Sequence, residues 1–282
     1  MPVVYLAIQG ALAVGMLVGA WWAGRTKARA AALAGAGVLI GLLDLWLNRR
    51  PDLYTMLLPF GDAVFFDNWL PYAAALFCGA IPRFAKTKAQ AIRMGVLLVA
   101  LFVLSWAPTR DEMRPLAEST ENHVDEHGVV RQTSRDTCAA AACATFVRLY
   151  GVESGEAEMI ERARTLRGRG TTAVGVYRAL RMTFAGRDDL RPRVLKRPVE
   201  WLIQRDKPAV IAVGLPRNGS PEAIAFGEKY DWPLNAYHEV VFLGRDKERP
   251  GHVLIGEPDF GRESWPEEHL RYLYAGFAVV VE

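Results

Sequence analysis

The N-terminal end of the chain has an unbroken apolar stretch, Met1–Gly24, of 24 residues without a charged side chain. Ala30–Asn48 and Ala91–Ala107 are nearly as apolar, with Asp44 and Arg93 as their respective charges. Each stretch is long enough to cross ~30 Å of hydrocarbon as a helix. A helix that is apolar along such a length has no stable place on a water-exposed surface. The sequence therefore predicts three membrane-spanning helices.

A fourth apolar region, Leu57–Pro82, is interrupted by Asp62 and Asp67 before the uncharged run YAAALFCGAI. It forms either a fourth span or a partly re-entrant segment. Carboxylates at membrane depth favour a function there. Alternatively, they lie at the membrane surface beside Trp69 and Tyr72, since aromatic belts mark that level. The sequence thus predicts an all-α membrane domain of about four transmembrane helices.

The basic residues between these stretches predict the orientation of the chain. A cleavable signal peptide requires a positive n-region, and no Lys or Arg precedes Arg25, so a retained first helix is favoured. With four spans, Arg25, Lys27 and Arg29 share a side with the basic residues at positions 83–93. The positive-inside rule then places a multi-pass protein in the cell membrane with its C-terminal part on the extracytoplasmic face. If the fourth region does not cross, this orientation reverses.

Charge divides the chain into two parts. Residues 1–108 hold 13 of the Asp, Glu, Lys and Arg side chains, and residues 109–282 hold the other 52. We expect a transmembrane domain over 1–108, a Pro-containing acidic linker over 109–128 and a folded domain over 129–282.

The net charge is only +3, and the basic residues are scattered among acidic ones instead of forming a stripe, so nucleic acid is excluded as a partner. Three cysteines cannot form a disulfide framework.

In the second part, helical patterns precede β-rich ones. Apolar residues recur at helical spacing from Cys138 to Tyr150, and in Glu156–Leu166, Gly175–Phe184 and Val199–Arg205. The β-branched runs AVIAVGL, HEVVFLG, HVLIGEP and AGFAVVVE follow, bounded by Gly and Pro. This order predicts an α+β domain in which helices pack on one side of an antiparallel sheet.

Cys138 is the candidate nucleophile because it begins the first of these helices. Asp136 or Thr137 supplies the N-cap, which places Cys138 in the first turn. Free backbone N–H groups and the positive end of the helix dipole favour a thiolate there. His238, at the start of a strand far along the chain, is the candidate base. The alternative for a single cysteine is a small core residue, which is the interpretation we give to Cys143.

Two further residues complete the predicted site. Across a hairpin from His238, the segment EPDFG begins with Glu257, whose carboxylate is placed to orient the imidazole; Asp259 is the second choice. Gln132 lies six residues before Cys138, and its amide is a candidate donor to the oxyanion, together with the backbone N–H of Cys138. These residues predict an acyl-transfer site.

The segment QTSRDTCAAAACATFVRLYG resembles the Gln-x5-Cys-Gly-Ala-Ala helix motif of the bacteriocin-processing, double-glycine leader peptidases. HEVVFLG and VLIGEPDFG resemble that family's His-strand and Asp-Pro strand. The resemblance implies a papain-like fold and peptide hydrolysis, with Gln132 as oxyanion donor, Cys138 as nucleophile and His238 as base. Ala139 replaces the family's usual Gly, and Glu257 its usual Asp. No GxxxxGK[ST] motif is present, so the ATPase fused to many family members is missing and a transporter partner would be separate.

Other patterns in this part favour no cofactor. His123 and His127 have the spacing of two metal ligands on one helix face, but their acidic surroundings favour a solvated connection. Gly168–Gly175 lacks the lysine of a phosphate loop and is typical of a loop leading into a helix capped by Thr172. We therefore expect neither a metal nor an organic cofactor.

These observations predict a membrane-anchored cysteine peptidase acting on a peptide or protein substrate through an acyl-enzyme intermediate, with the lipid bilayer as its second partner. Two alternatives stay open. One is a non-catalytic peptide-binding or sensor module with a papain-like groove. The other is an acyl-transfer enzyme whose thioester is intercepted by an amine instead of water. In either case Trp232 and Tyr237, close in sequence to His238, line the groove or simply pack.

Overall fold

The structure is a computed structural model that describes residues 2–107, 116, 122–217 and 219–282. The chain divides into two compact units. The first comprises Met1–Tyr54 and Asp62–Arg114, and the second comprises Thr55–Gly61 and Pro115–Glu282. Most of the sequence-predicted linker, residues 109–128, lies outside the described residues.

The first unit is helical. Its helices are α1 Pro2–Ala23, α2 Lys27–Leu47, α3 Pro51–Leu57, α4 Leu70–Ala80 and α5 Lys88–Leu104, with 3₁₀ turns at Gly61–Phe66 and Ile81–Phe84; the last residues of α3 and the first residue of the Gly61–Phe66 turn fall in the second unit. Thr26 and Thr87 begin α2 and α5 because each hydroxyl accepts a hydrogen bond from a first-turn backbone N–H.

Three stretches of this unit are long and apolar enough to cross a membrane: Val4–Ala23, Lys27–Leu47 and Gly61–Phe84. The first two correspond to the first two predicted spans. The third covers much of the Leu57–Pro82 region and is interrupted between its first 3₁₀ turn and α4. Helix α5, with 17 residues, is the shortest of the predicted spans. Apolar helices thus precede the second unit, while the number that cross stays a prediction.

Small residues let the helices of this unit approach closely. A Cβ on Gly37 would lie 2.7 Å from the carbonyl oxygen of Ala73, and one on Gly79 would lie 2.6 Å from that of Leu17. Backbone contacts of this kind are typical of helices packed in membranes. The carboxylate of Asp44 accepts a hydrogen bond from the Trp69 backbone N–H at 2.9 Å. Its burial in this helical unit is therefore compensated.

The second unit is an α+β domain built on one six-stranded antiparallel sheet. Its strands are β1 Pro192–Lys196, β2 Ala209–Gly214, β3 Tyr237–Arg245, β4 His252–Glu257, β5 Gly261–Pro266 and β6 Tyr274–Val281, in the order β1-β6-β2-β3-β4-β5. Its helices are α6 Cys138–Arg148, α7 Glu156–Ala163, α8 Ala173–Thr183, α9 Val199–Arg205, α10 Pro221–Tyr230 and α11 Glu267–Leu273.

Helices cover both faces of this sheet, so the prediction of helices on one side was wrong. Helices α6, α7 and α8 pack on the face that carries Val210 and Val241. Helices α9, α10 and α11 pack on the opposite face, which carries Val240 and Phe242. The physical reason is in the strands, because the runs AVIAVG and VVFL are apolar at successive positions and successive side chains point to opposite faces. Both faces must therefore be covered.

Candidate active site

Cys138 is the first residue of α6, as the sequence predicts. Its side chain is 6% exposed, and the four alanines that follow it are fully buried, so the helix lies close against the sheet. Thr137 occupies the N-cap position, but its hydroxyl donates to the carbonyl of Ser134 at 2.8 Å and caps no helix N–H. The second helix cysteine, Cys143, is fully buried in the core.

The thiol of Cys138 donates a hydrogen bond to the carboxylate Oε2 of Glu239, with Sγ and oxygen 3.1 Å apart. Burial raises the pKa of Cys138, and the negative charge of Glu239 raises it further. The backbone N–H groups of Glu239 and Ala139 act in the opposite direction but do not prevail. The prediction of a thiolate favoured by the helix dipole was therefore wrong for this geometry, because a buried sulfur beside a carboxylate keeps its proton.

The sequence pattern did not single out Glu239, although it follows His238 directly. Its side chain is partly buried. Burial raises the pKa of Glu239, whereas the Cys138 thiol and the charge of His238 act to lower it. No Lys or Arg in the described part of the chain forms an ion pair with this carboxylate. Such a group is costly to keep ionised and unpaired in a protein interior.

His238 pairs with Glu257. The ring Nε2 contacts Glu257 Oε1, and the other carboxylate oxygen accepts the backbone N–H of Phe260 at 2.6 Å. Glu257 is 3% exposed. Burial alone would lower the pKa of His238, but the hydrogen bond and charge of Glu257 outweigh it, and the pKa is raised. Asp259, the second choice for this role, makes no hydrogen bond to the ring.

The predicted nucleophile and base are not in direct contact. Along β3, His238 shares its face with Val240 and Phe242, whereas Glu239 shares its face with Val241, against which α6 packs. No hydrogen bond joins Cys138 to the imidazole, and Cys138 instead contacts the strand one residue further along. The thiol thus contacts Glu239, the residue that follows His238 in β3. The imidazole itself points to the face of the sheet opposite α6.

Gln132 lies beside the end of β4. Its backbone N–H donates to the carbonyl of Pro258 at 2.9 Å, which places it next to Glu257. The strand-like segment before it is held by a bond from the buried Val130 N–H to the Thr145 hydroxyl at 2.8 Å. The side-chain Oε1 of Gln132 is buried and, among the described residues, has no hydrogen-bond partner.

One group of side chains has the donors that a metal ion uses. One ligand atom each of His238, Glu257 and Asp259 lie within 4.8 Å of one another. An imidazole and two carboxylates suit a zinc ion. The contact of Glu257 with His238 is also the contact that an orienting carboxylate makes. His123 and His127 do not share a helix face, because His123 precedes Val124 and His127 lies in the turn between Val124 and Val130, which pair as a β-bridge.

A cleft of about 630 Å³ opens beside the imidazole, bounded in part by His238, Glu257 and Asp259. Trp232 and Tyr237 both line it. Trp232 also packs against the core of the second unit and against Trp265. Cys138 is not part of this wall.

Comparison with known proteins gives likenesses to solved structures. No protein-family model matches the chain, and no curated protein matches it. The chain is similar to the peptidase domain of Streptococcus ComA, a bi-functional ABC transporter involved in a quorum sensing pathway, with 20% identity and a TM-score of 0.40 over 54% of this chain and 94% of that one. It is also similar to a double glycine motif protease from an AMS/PCAT transporter solved with its leader peptide, with 19% identity and a TM-score of 0.40 over 59% and 96%. A third similar structure is the N-terminal peptidase C39 like domain of a toxin secretion ATP-binding protein from Vibrio parahaemolyticus. Its sequence identity is 15% and its TM-score 0.34, over 53% of this chain and 98% of that one.

Proposed function

We propose that this protein is a membrane-anchored cysteine peptidase with a papain-like catalytic domain. The observation that carries the proposal is the imidazole of His238, paired with the buried carboxylate of Glu257 at the start of the strand whose next residue contacts the Cys138 thiol. A nucleophile, a base and an orienting group are the three roles that covalent acyl transfer requires. The proposal assigns these roles to Cys138, His238 and Glu257, which belong to chain segments distant in sequence.

In the proposed reaction, His238 Nδ1 accepts the thiol proton, since Nε2 is held by Glu257. The thiolate of Cys138 attacks the peptide carbonyl carbon, and the carbonyl oxygen becomes an oxyanion near the Gln132 amide and the Cys138 N–H. The intermediate collapses, the C–N bond breaks, and the imidazolium gives its proton to the leaving amine. Water, deprotonated by His238, then hydrolyses the thioester and releases Cys138.

The proposal requires a movement of the thiol. In the resting arrangement the sulfur bonds to Glu239 and carries its proton. Rotation of the Cys138 side chain away from Glu239 is needed to bring the sulfur to His238. Because consecutive residues of a strand point to opposite faces, the proposal also requires the His238 ring to turn toward α6 at the start of β3. Substrate binding next to Cys138 supplies the driving force for the movement of the sulfur by displacing the thiol from Glu239.

We further propose the division of labour along the chain: residues 1–108 anchor the protein in the lipid bilayer, 109–128 connect, and 129–282 hydrolyse a peptide or protein substrate. The distribution of basic residues favours the extracytoplasmic face for the catalytic domain. A separate transporter is a further proposed partner. A C-terminal reporter enzyme that is active only outside the cytoplasm tests the orientation.

A second candidate is a peptide-binding module without catalysis. It is favoured by one observation: the Cys138 thiol bonds to Glu239 and not to the imidazole. In that case the sulfur would stay protonated with ligand bound, and the His238–Glu257 pair would serve only to bind. The two candidates differ in whether a covalent intermediate forms on Cys138.

The test uses the full-length protein in detergent micelles with a mixture of synthetic peptides, analysed by mass spectrometry. We expect cleaved products and, after acid quenching, a peptide acyl group attached to Cys138. Cys138→Ala should abolish both. Cys143→Ala, which changes the buried cysteine of the same helix, should retain both and serves as the matched control.

Binding of peptides without cleavage or acylation would contradict the peptidase proposal and support the binding module. Equal cleavage by the native protein and Cys138→Ala would contradict it as well, because the nucleophile would then lie elsewhere. Repeating the reaction with an added amine separates hydrolysis from transfer, since a transferase would give amide products.

A further inference from the structure

The cleft beside His238 has walls of unusual composition for a surface depression. Six aromatic side chains line it, namely Phe226, Tyr230, Trp232, Tyr237, Phe260 and Trp265. The lining residues that the structure describes include no Lys or Arg. Aromatic lining with a few placed polar groups is typical of sites that bind a small molecule or a side chain.

Several of these rings are exposed to solvent. Tyr230 is 44% exposed, Tyr237 is 55% exposed and Phe260 is 73% exposed. They account for three of the large apolar side chains left exposed in the described part of the second unit, and they converge on one depression. A concentration of exposed rings indicates a surface that is covered by a ligand. The tryptophans behind them are fixed, since Trp232 and Trp265 meet edge to face with centroids 6.0 Å apart.

Carboxylates stand among the rings. Glu257 is used by His238, and Glu263 accepts the indole N–H of Trp265 at 2.7 Å. Asp231, at the C-terminal end of α10, and Asp259 line the cleft without an ion pair to any described residue.

The chain itself shows which chemistry these rings attract. The ammonium of Lys229, next to the rim residue Tyr230, lies 4.9 Å from the centroid of that ring. The negative face of an aromatic ring attracts a cation, and adjacent carboxylates strengthen the attraction. The cleft therefore complements a positive group on an apolar stem, which is the description of an arginine or lysine side chain.

We propose that this cleft is a subsite for an arginine or lysine side chain of the peptide substrate. The inference rests on the proposed peptidase function and adds a substrate class to it. Because His238 forms part of the cleft wall, the basic side chain lies close to the proposed base. The rings enclose the methylene stem, and Asp231 and Asp259 pair with the charge at its end.

The test measures binding without chemistry, using the full-length Cys138→Ala protein in detergent with EDTA present. The probes are Nα-acetyl-arginine amide and Nα-acetyl-citrulline amide, which have the same shape and differ in charge. Binding is followed by tryptophan fluorescence, because Trp232 and Trp265 line the cleft. We expect the arginine probe to bind about tenfold more tightly, a ratio that converts to about 1.4 kcal/mol.

Variants assign the preference to the cleft. Asp231→Asn keeps the side-chain shape and tolerates the left-handed backbone at this position, whose φ is 54°. It should weaken arginine binding severalfold and leave citrulline binding unchanged. Asp189→Asn removes an exposed carboxylate that pairs with Arg187 outside the cleft, and it should change neither.

Equal binding of the two probes overturns the subsite, and so does an arginine preference that survives both Asp231→Asn and Asp259→Asn. The outcome is separable from that of the peptidase proposal. Arginine-selective binding together with no turnover by the native protein would contradict the peptidase proposal and support the subsite for a basic side chain. Turnover that ignores basic residues near the cleaved bond would do the reverse.

Discussion

The hydrogen bond from Cys138 to Glu239 predicts the reactivity of the nucleophile. Two unit charges 3.1 Å apart interact by about 5 kcal/mol at an effective dielectric constant of 20. This repulsion opposes ionisation of the thiol wherever Glu239 is itself ionised. If only a quarter of it is lost in Glu239→Gln, about 1.4 kcal/mol, the thiolate fraction rises about tenfold. The amide of glutamine also donates a hydrogen bond to a thiolate, which adds to the effect.

The assay is alkylation by iodoacetamide between pH 7 and 9, with each labelled cysteine identified by mass spectrometry. We expect Cys138 to react at least tenfold faster in Glu239→Gln than in the native protein. Cys143 reports on unfolding, because it is fully buried and should stay unlabelled in both. Glu263→Gln, which removes a carboxylate bonded to Trp265, is the matched control and should not accelerate labelling. An unchanged or slower rate at Cys138 in Glu239→Gln would refute the electrostatic reasoning.

Two further predictions concern stability in detergent. Thr145→Val should lower the free energy of unfolding by about 1–3 kcal/mol, because the buried Val130 N–H loses its acceptor. Denaturant titration measures this loss. A loss under about 0.5 kcal/mol would contradict the prediction. The folded pKa of His238 is raised above its ordinary 6.5, so this group adds stability that is fully present below pH 6.5 and is lost as the pH rises through the folded pKa. The stability advantage of the native protein over Glu257→Gln should therefore shrink as the pH rises from 6 to 9, and a constant difference would count against the pairing.

Much of the fold could be predicted from the residue pattern. Helix α9 has the predicted bounds, and α6 begins at Cys138 as predicted. The four β-branched runs correspond to β2, β3, β4 and β6. The edge strands β1 and β5 were missed because their sequences, PRVLK and GRESWP, contain proline, arginine and glutamate in place of an apolar run. An edge strand needs only one covered side, so its sequence carries a weaker signal.

The helices on the second face were missed for a related reason. Helix α10 begins at Pro221 and carries Gly227, and α11 has seven residues of which three are charged and one is a histidine, so neither shows a long apolar stripe. Their contribution to the core comes from a few side chains such as Phe226 and Leu270. Continuous apolar strands were the available signal that a second layer was required.

In the candidate site, pairing of His238 with Glu257 was predicted from the hairpin, and the structure has it. The partner of Cys138 was not. Helix register and strand register are each readable from a sequence, but which face of a strand meets a given helix depends on how the two pack. A shift of β3 by one residue would turn His238, instead of Glu239, toward the sulfur of Cys138. Tertiary packing decides which of these two side chains faces the sulfur, and no local sequence pattern determines it.

Burial of both sheet faces also explains why the chemistry sits where it does. An interior strand covered on both sides tolerates charged side chains only near its ends, because a central one would lie in the core without water or a partner. In an antiparallel hairpin the start of one strand pairs with the end of the next. The first residues of β3, with His238 and Glu239, therefore meet the last residue of β4, Glu257, at a single edge of the sheet. Since α6 packs against β3, the N-terminal position of Cys138 reaches this same edge, where its thiol contacts Glu239.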